Sequence, residues 1–220
     1  MTIIPLTPHY SKPTRALSDP LPESPAIQVI IQHLNLAPHI EGGYFSETDR
    51  DTRRIHQTTS GEYGHSPSTA PTTTKSKETP THRSLSTNIF YLLTPLSPLG
   101  AFHRNKSRTI HTLHRGRGVY VVLMDRANGD GGVEIETFVV GQDVARGEKL
   151  QWIVEGGDYK ATFLIPDRES MEGGTVIPGF EYDDHDFLKR EALVRMVTEK
   201  EFLQLQWLLR ENYMQENDSP

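Results

Sequence analysis

The stretch "GAFHRNKSRTIHTLHRGRG", residues 100–118, holds three of the ten histidines of this chain and five of its 23 lysines and arginines. These charges sit between short apolar runs, in a protein whose net charge is −6. His103, His111 and His114 could build a metal site, line a metal-free pocket or decorate the outside of a strand. Which of these holds depends on the direction in which each side chain points.

The sequence on either side of this stretch reads as β-structure. "TNIFYLL" (87–93), "RTIHTLH" (108–114), "VYVVLMD" (119–125), "VEIETFVV" (133–140), "LQWIV" (150–154) and "YKATFLI" (159–165) are short and rich in branched or aromatic residues. "GRG", "NGDGG", "EGG" and "PGF" punctuate them, the pattern of short strands joined by glycine turns. Even spacing of such strands predicts a sandwich or barrel, and "NGDGG" predicts a hairpin.

Helices flank this region. Ser24 is placed to cap a helix with Pro25 in its first turn, and Ile27, Ile30, Ile31 and Leu34 give it one apolar face. Near the other end Thr198 and Glu201 form a T-x-x-E capping box, followed by Phe202, Leu205, Leu208 and Leu209 at helical spacing. The expected fold is mainly β, a barrel with an N-terminal and a C-terminal helix packed on it. Residues 1–23 carry five prolines without periodicity and read as an extended or disordered arm. Residues 56–83, rich in Ser, Thr and Pro, read as a mobile inserted loop. A single domain over 24–214 and a tail over 215–220 complete the expected organisation.

Composition narrows the function classes. A pI near 5.9 argues against a general nucleic-acid binder, which needs a basic footprint. The absence of cysteine excludes disulfides, thiolate metal sites and cysteine nucleophiles. "MTIIPLTPHYSKPTR" lacks the apolar core of a secretory signal, and no stretch approaches the roughly 20 apolar residues of a membrane helix. The expectation is a soluble cytoplasmic protein.

The order of glycine, His103, Asn105, Thr109 and Gly116 matches the first motif of the cupins, G…H-x-H-x(3–4)-E-x(6)-G, and "EGGDYK" (155–160) sits where their second motif falls. "EGGYFSET", "STNIFYLLTPLSPLGAFHRNKSRTIHTLHRGRG", "QWIVEGGDYKATFL" and "VIPGFEYDDHDFLK" together resemble the cupin-5 family over 27–210. The resemblance implies a jelly-roll barrel, a homodimer and a small-molecule pocket in the barrel mouth. It implies no particular reaction, because cupins include dioxygenases, isomerases, epimerases and storage proteins.

Metal-binding cupins carry three histidines and one glutamate at positions that here are His103, Asn105, Thr109 and Lys160. An amide and a hydroxyl are weak ligands for a transition metal, and an ammonium repels one. If Thr109 faces the cavity, alternation along the strand puts His111 beside it and turns His114 away. Two inward imidazoles fall short of the three protein ligands of a catalytic zinc site, so no metal and no cofactor are expected. The expected function is binding of a small molecule, anions included, with isomerase, epimerase or lyase chemistry if the protein is catalytic. His103 is then the base and His111 the partner acid. Asn105, Thr109 and Lys160 are the ligand-binding residues. A non-catalytic binding cupin stays open beside this reading, and so does a metal-dependent dioxygenase.

Other candidates carry less. Arg104 and Lys106 read as a solvated outer face, while Arg108 stays open as an anion-attracting residue. "EGGYFSETDR" (41–50), with Glu41, reads as a glycine turn pressed against the barrel rather than a phosphate cradle. "DDHD" (183–186) reads as an exposed loop whose adjacent residues diverge, not as a metal cluster. Trp152 and Tyr159 read as barrel core.

Overall fold

The computed structural model describes residues 6, 10, 22–57, 81–124, 133–165, 170–181 and 184–210. The chain opens with α1 (Pro25–His33), capped as expected by the Ser24 hydroxyl, which accepts from the Ile27 amide. The strands follow: β1 (Ala37–Pro38), β2 (Tyr44–Arg50), β3 (Arg54–Gln57), β4 (Thr81–Ser84), β5 (Thr87–Leu93), β6 (Leu99–Arg104) and β7 (Arg108–Arg115). After them come β8 (Gly118–Met124), β9 (Glu134–Val140), β10 (Gln151–Val154), β11 (Tyr159–Leu164), β12 (Ser170–Ile177) and β13 (Asp186–Phe187). The chain ends in α2 (Arg190–Met196) and α3 (Glu199–Leu205), and Thr198 with Glu201 forms the complete capping box at the start of α3.

A six-stranded sheet in the order β1-β2-β5-β12-β7-β10 faces a five-stranded sheet in the order β13-β6-β11-β8-β9, and the named pairings are antiparallel. Two facing antiparallel sheets in this order make a jelly-roll barrel, the fold that the sequence resemblance implies. Strand β8 is buried along its whole length because each of its faces meets a different partner. Tyr120, Val122 and Met124 pack inward with Phe138, Trp152 and Val154. Val119, Val121 and Leu123 point outward, where Leu193, Leu205 and Leu208 of the C-terminal segment cover them together with Phe102. Phe102 is fully buried, and truncating such a side chain costs about 3–5 kcal/mol. On the opposite sheet α1 lays Ile27, Ile30 and Ile31 over Leu92. Among the described residues no helix is long and apolar enough to cross a membrane.

Three sequence readings need correction. Strands β6 and β12 were not expected; the paired glycines of "SMEGGTVI" mask the β signal, although every residue of β12 is paired. The loop expected over 56–83 lies in its central part, 58–80, outside the described residues, but its ends are strand: β3 and β4 pair antiparallel and Arg83 is buried. In the arm expected over 1–23, Glu23 is buried and accepts from Thr94 Oγ1 at 2.6 Å, and the Leu6 carbonyl accepts from Trp207 Nε1 at 3.1 Å. Residues 1–5, 7–9 and 11–21 of the arm, the "NGDGG" hairpin and the tail lie outside the described residues.

Candidate functional site

A cavity open at its mouth lies between the two sheets. His103, Asn105, Thr109, His111 and Lys160, the five site residues expected from the sequence, all line it. All five are buried.

Strand alternation puts them there. On β7 the buried positions are Thr109, His111 and Leu113, while His114 is exposed and meets the Phe90 ring on the outer side. On β11, Lys160 pairs directly with His103 of β6, so both reach into the same space. Asn105 follows β6. With its amide turned so that its NH2 donates to the Arg104 carbonyl, its oxygen accepts from Lys160 Nζ at 3.2 Å. The four positions that correspond to the ligands of metal-binding cupins therefore offer one imidazole, one hydroxyl, one ammonium and an amide oxygen committed to that ammonium. This donor set does not fit a transition metal.

His111 has a distinct environment. Trp152, its partner across the β7–β10 pairing, stacks parallel on the imidazole with ring centroids 5.2 Å apart. Tyr120 Oη is 3.5 Å from Nδ1. Nε2 of His111 and Oγ1 of the neighbouring Thr109 are buried without a hydrogen-bond partner. Burial pushes the His111 pKa well down, and the charge of Lys160 adds to the effect, so the ring is neutral near pH 7.

The sequence reading missed the second part of the site. Glu41 sits on the turn before β2, fastened by its carbonyl, which accepts from Ala101 N at 2.7 Å. Gly42 follows with φ +103°, and a Cβ there would collide with the Leu99 carbonyl, so the turn can come this close to the barrel only with glycine. The Glu41 carboxylate meets His185 Nε2 at 2.7 Å, His103 Nε2 at 3.3 Å and His39 Nδ1 at 3.5 Å. Burial alone would raise its pKa, but the imidazoles of His103, His185 and His39 outweigh burial and hold it well below the usual carboxylate range. Burial drives His103 down to about 3 against the attraction of Glu41, and Lys160 and His185 push the same way.

His185 corrects the reading of "DDHD" as an exposed loop, since its side chain is only 4 % exposed. Alternation in this short stretch does send neighbours apart, but in a useful pattern. Asp184 pairs with Arg83 and Asp186 with Arg104 at 3.0 Å, and His185, held between these anchors, turns to Glu41. Its ring stacks on His103 with centroids 5.2 Å apart. Arg104 and Lys106 do pair outward with Asp186 and Asp184, and Arg108 pairs with Glu155 at 3.4 Å rather than lining the cavity. No periodicity marks Glu41, His39 or His185 in the sequence, because each comes from a turn or a connection.

The geometry also changes what His103 can do. Its Nδ1 lies 2.8 Å from the Ala101 carbonyl and its Nε2 faces Glu41, which leaves neither nitrogen to a substrate. His111, by contrast, presents a buried ring nitrogen, Nε2, that has no hydrogen-bond partner.

Comparison with known proteins agrees with this architecture. The chain is 40% identical over 187 residues to the uncharacterized protein YML079W of Saccharomyces cerevisiae, covering 82% of this chain and 84% of that one. A solved structure of a hypothetical protein from Leishmania major superposes with a TM-score of 0.61 at 26% identity, covering 84% of this chain and 96% of the other. The structure of protein SO0799 from Shewanella oneidensis shares the fold with a TM-score of 0.62 at 23% identity, covering 86% and 98% of the two chains. The sequence model of Cupin_5, Cupin superfamily (DUF985), matches residues 28–188, and the chain belongs to that family.

Proposed function

We propose that this cupin binds a small organic molecule in the barrel cavity and moves a proton on it, as an isomerase, epimerase or lyase does. The observation that carries the reading is the pair of buried polar atoms without partners, His111 Nε2 and Thr109 Oγ1, side by side on the cavity wall. An unpartnered buried polar group costs about 1–3 kcal/mol, and a ligand carrying a carbonyl or hydroxyl at this place relieves two of them.

Neutral His111 is the group that exchanges the proton. The Tyr120 hydroxyl beside Nδ1 can donate or accept, so it serves either tautomer and lets Nε2 take a proton or return it. Lys160 supplies positive charge where an enolate or carboxylate oxygen would carry negative charge. An anion settling against Lys160 also removes part of what holds the His111 pKa down, so ligand binding itself makes the base stronger. Phe45, Ile89, Tyr91 and Phe180 supply apolar walls that keep the site poor in water. The same walls suit a binding cupin without turnover, which is the second reading.

Native mass spectrometry of the purified protein identifies any copurified molecule. That molecule, with a panel of small 2-oxo acids, 2-hydroxy acids and ketoses, is then incubated with the protein in D2O and followed by proton NMR. Exchange of a carbon-bound hydrogen, reduced about 100-fold or more in His111→Gln with the fold intact, is the expected result. Tight binding with no exchange would leave the second reading.

A further inference from the structure

Three imidazoles, those of His39, His103 and His185, converge on the buried Glu41 carboxylate. The Ala101 carbonyl only accepts, so the hydrogen of a neutral His103 ring is on Nδ1, which donates to it at 2.8 Å. Nε2 then presents a lone pair to Glu41 Oε2 at 3.3 Å, and two acceptors face each other with no proton between them. His39 Nδ1 lies 3.5 Å from the same oxygen, belongs to a side chain that is 8 % exposed, and makes no hydrogen bond. Among the described residues, His185 Nε2, 2.7 Å from Oε1, is the side-chain group that stands as an ordinary donor to the carboxylate.

We propose that Glu41, His103 and His185 bind a divalent transition-metal ion in the wall of the cavity, with His39 the nearest further nitrogen. Two ligands each about 2.0–2.1 Å from a tetrahedral ion stand roughly 3.3 Å apart. The separation of His103 Nε2 from Glu41 Oε2 matches that edge, and the ligand atoms of the three residues all lie within 4.8 Å of one another. The backbone carbonyl on His103 Nδ1 is the outer partner that fixes a coordinating imidazole, and His185 would release its Nε2 proton on binding.

The donors are nitrogen-rich, which suits zinc, cobalt, nickel or ferrous iron rather than magnesium or calcium. Glu41 and His103 also line the cavity, so an open coordination position would face the space where a ligand sits. This site uses residues from the turn before β2 and the connection before β13, and it shares only His103 with the four positions that metal-binding cupins use. Lys160, across the strand pair from His103, opposes the charge of the ion.

The test is titration of chelator-treated, full-length protein with Co²⁺, read by its visible absorption, and with Zn²⁺ by calorimetry. One ion per chain is expected, with no comparable uptake of Mg²⁺. Glu41→Gln and His185→Asn, each shown to be folded by circular dichroism, should weaken binding about 100-fold or more. His114→Ala should bind as the parent does, and Lys160→Met should bind more tightly. The proposal is overturned if the protein takes up no cobalt while nitrogen NMR shows His103 doubly protonated, because a proton then fills the gap. Undiminished uptake by the folded Glu41→Gln, His185→Asn double variant would place the ion elsewhere and overturn it as well.

Discussion

Gly174 of β12 lies directly across from His111 of β7, and the absence of a side chain at that position keeps the cavity open beside the imidazole. A Cβ built on Gly174 would meet Ile89 at 3.6 Å, Thr109 at 3.8 Å and His111 at 3.9 Å, all ordinary contacts. Gly174→Ala should therefore fold and bind nearly as the parent does, whereas Gly174→Leu should fill the cavity. The measurement is the thermal shift produced by the copurified ligand. We expect it to be lost in Gly174→Leu and in His111→Ala and kept in His114→Ala, and equal effects at 111 and 114 would contradict the assigned orientation.

Acid should destabilise the protein in part through His111. Its folded-state pKa is depressed below the ordinary 6.5, so below that pH the unfolded chain takes up a proton that the folded chain refuses. Above 6.5 both states are neutral and the contribution is complete. As the pH falls from 6.5 toward the folded-state pKa, stability falls by up to about 1.4 kcal/mol per pH unit for this group. Urea unfolding at pH 7.5, 6.0 and 5.0 should show a shallower loss in His111→Phe than in the parent. Parallel slopes would mean that the imidazole is not held neutral by burial.

Lys160 should be felt by His111 as well as by a ligand. The groups acting on His111 are Lys160 and His103, which lower its pKa, and Glu41, which raises it. Lys160→Met removes the larger of the lowering charges, and the His111 pKa followed by NMR should move up toward 6.5. No movement would show that Lys160 is screened from the ring and would weaken its assignment as the ligand's positive partner.

The barrel should pair with a second copy through the edge of the six-stranded sheet. Strand β10 is the last strand of that sheet, and its outward Ile153, 47 % exposed, lies across from Ile110 of β7. An unpaired edge beside exposed aliphatic side chains invites association. Light scattering at micromolar concentration should give a dimer for the parent and a monomer for Ile153→Lys; a monomeric parent would refute the pairing.

The sequence told most where structure is decided by neighbours along the chain. The caps at Ser24 and Thr198 are local hydrogen bonds, and each formed as its residue pattern indicates. Alternation over "RTIHTLH" separates His111 from His114 because adjacent residues on a strand have no other choice. Strand β12 escaped because glycine serves the cavity there at the expense of β propensity. Glu41 and His185 escaped for a different reason. They are 144 positions apart and meet only because Gly42 fits against Leu99 and two aspartates anchor the segment around His185. Contacts of that kind leave no period in the sequence, so only half of the candidate site was readable there.

The hydrogen bond from the Trp207 indole to the Leu6 carbonyl joins positions 201 residues apart on the outer face of the five-stranded sheet. That contact lies on the far side of the sheet from the cavity, and neither residue lines it. Trp207→Phe would keep the ring beside Phe163 and remove the indole donor, releasing Leu6 without altering any cavity residue. Anchorage of Leu6 and the chemistry of the cavity are therefore independent of one another.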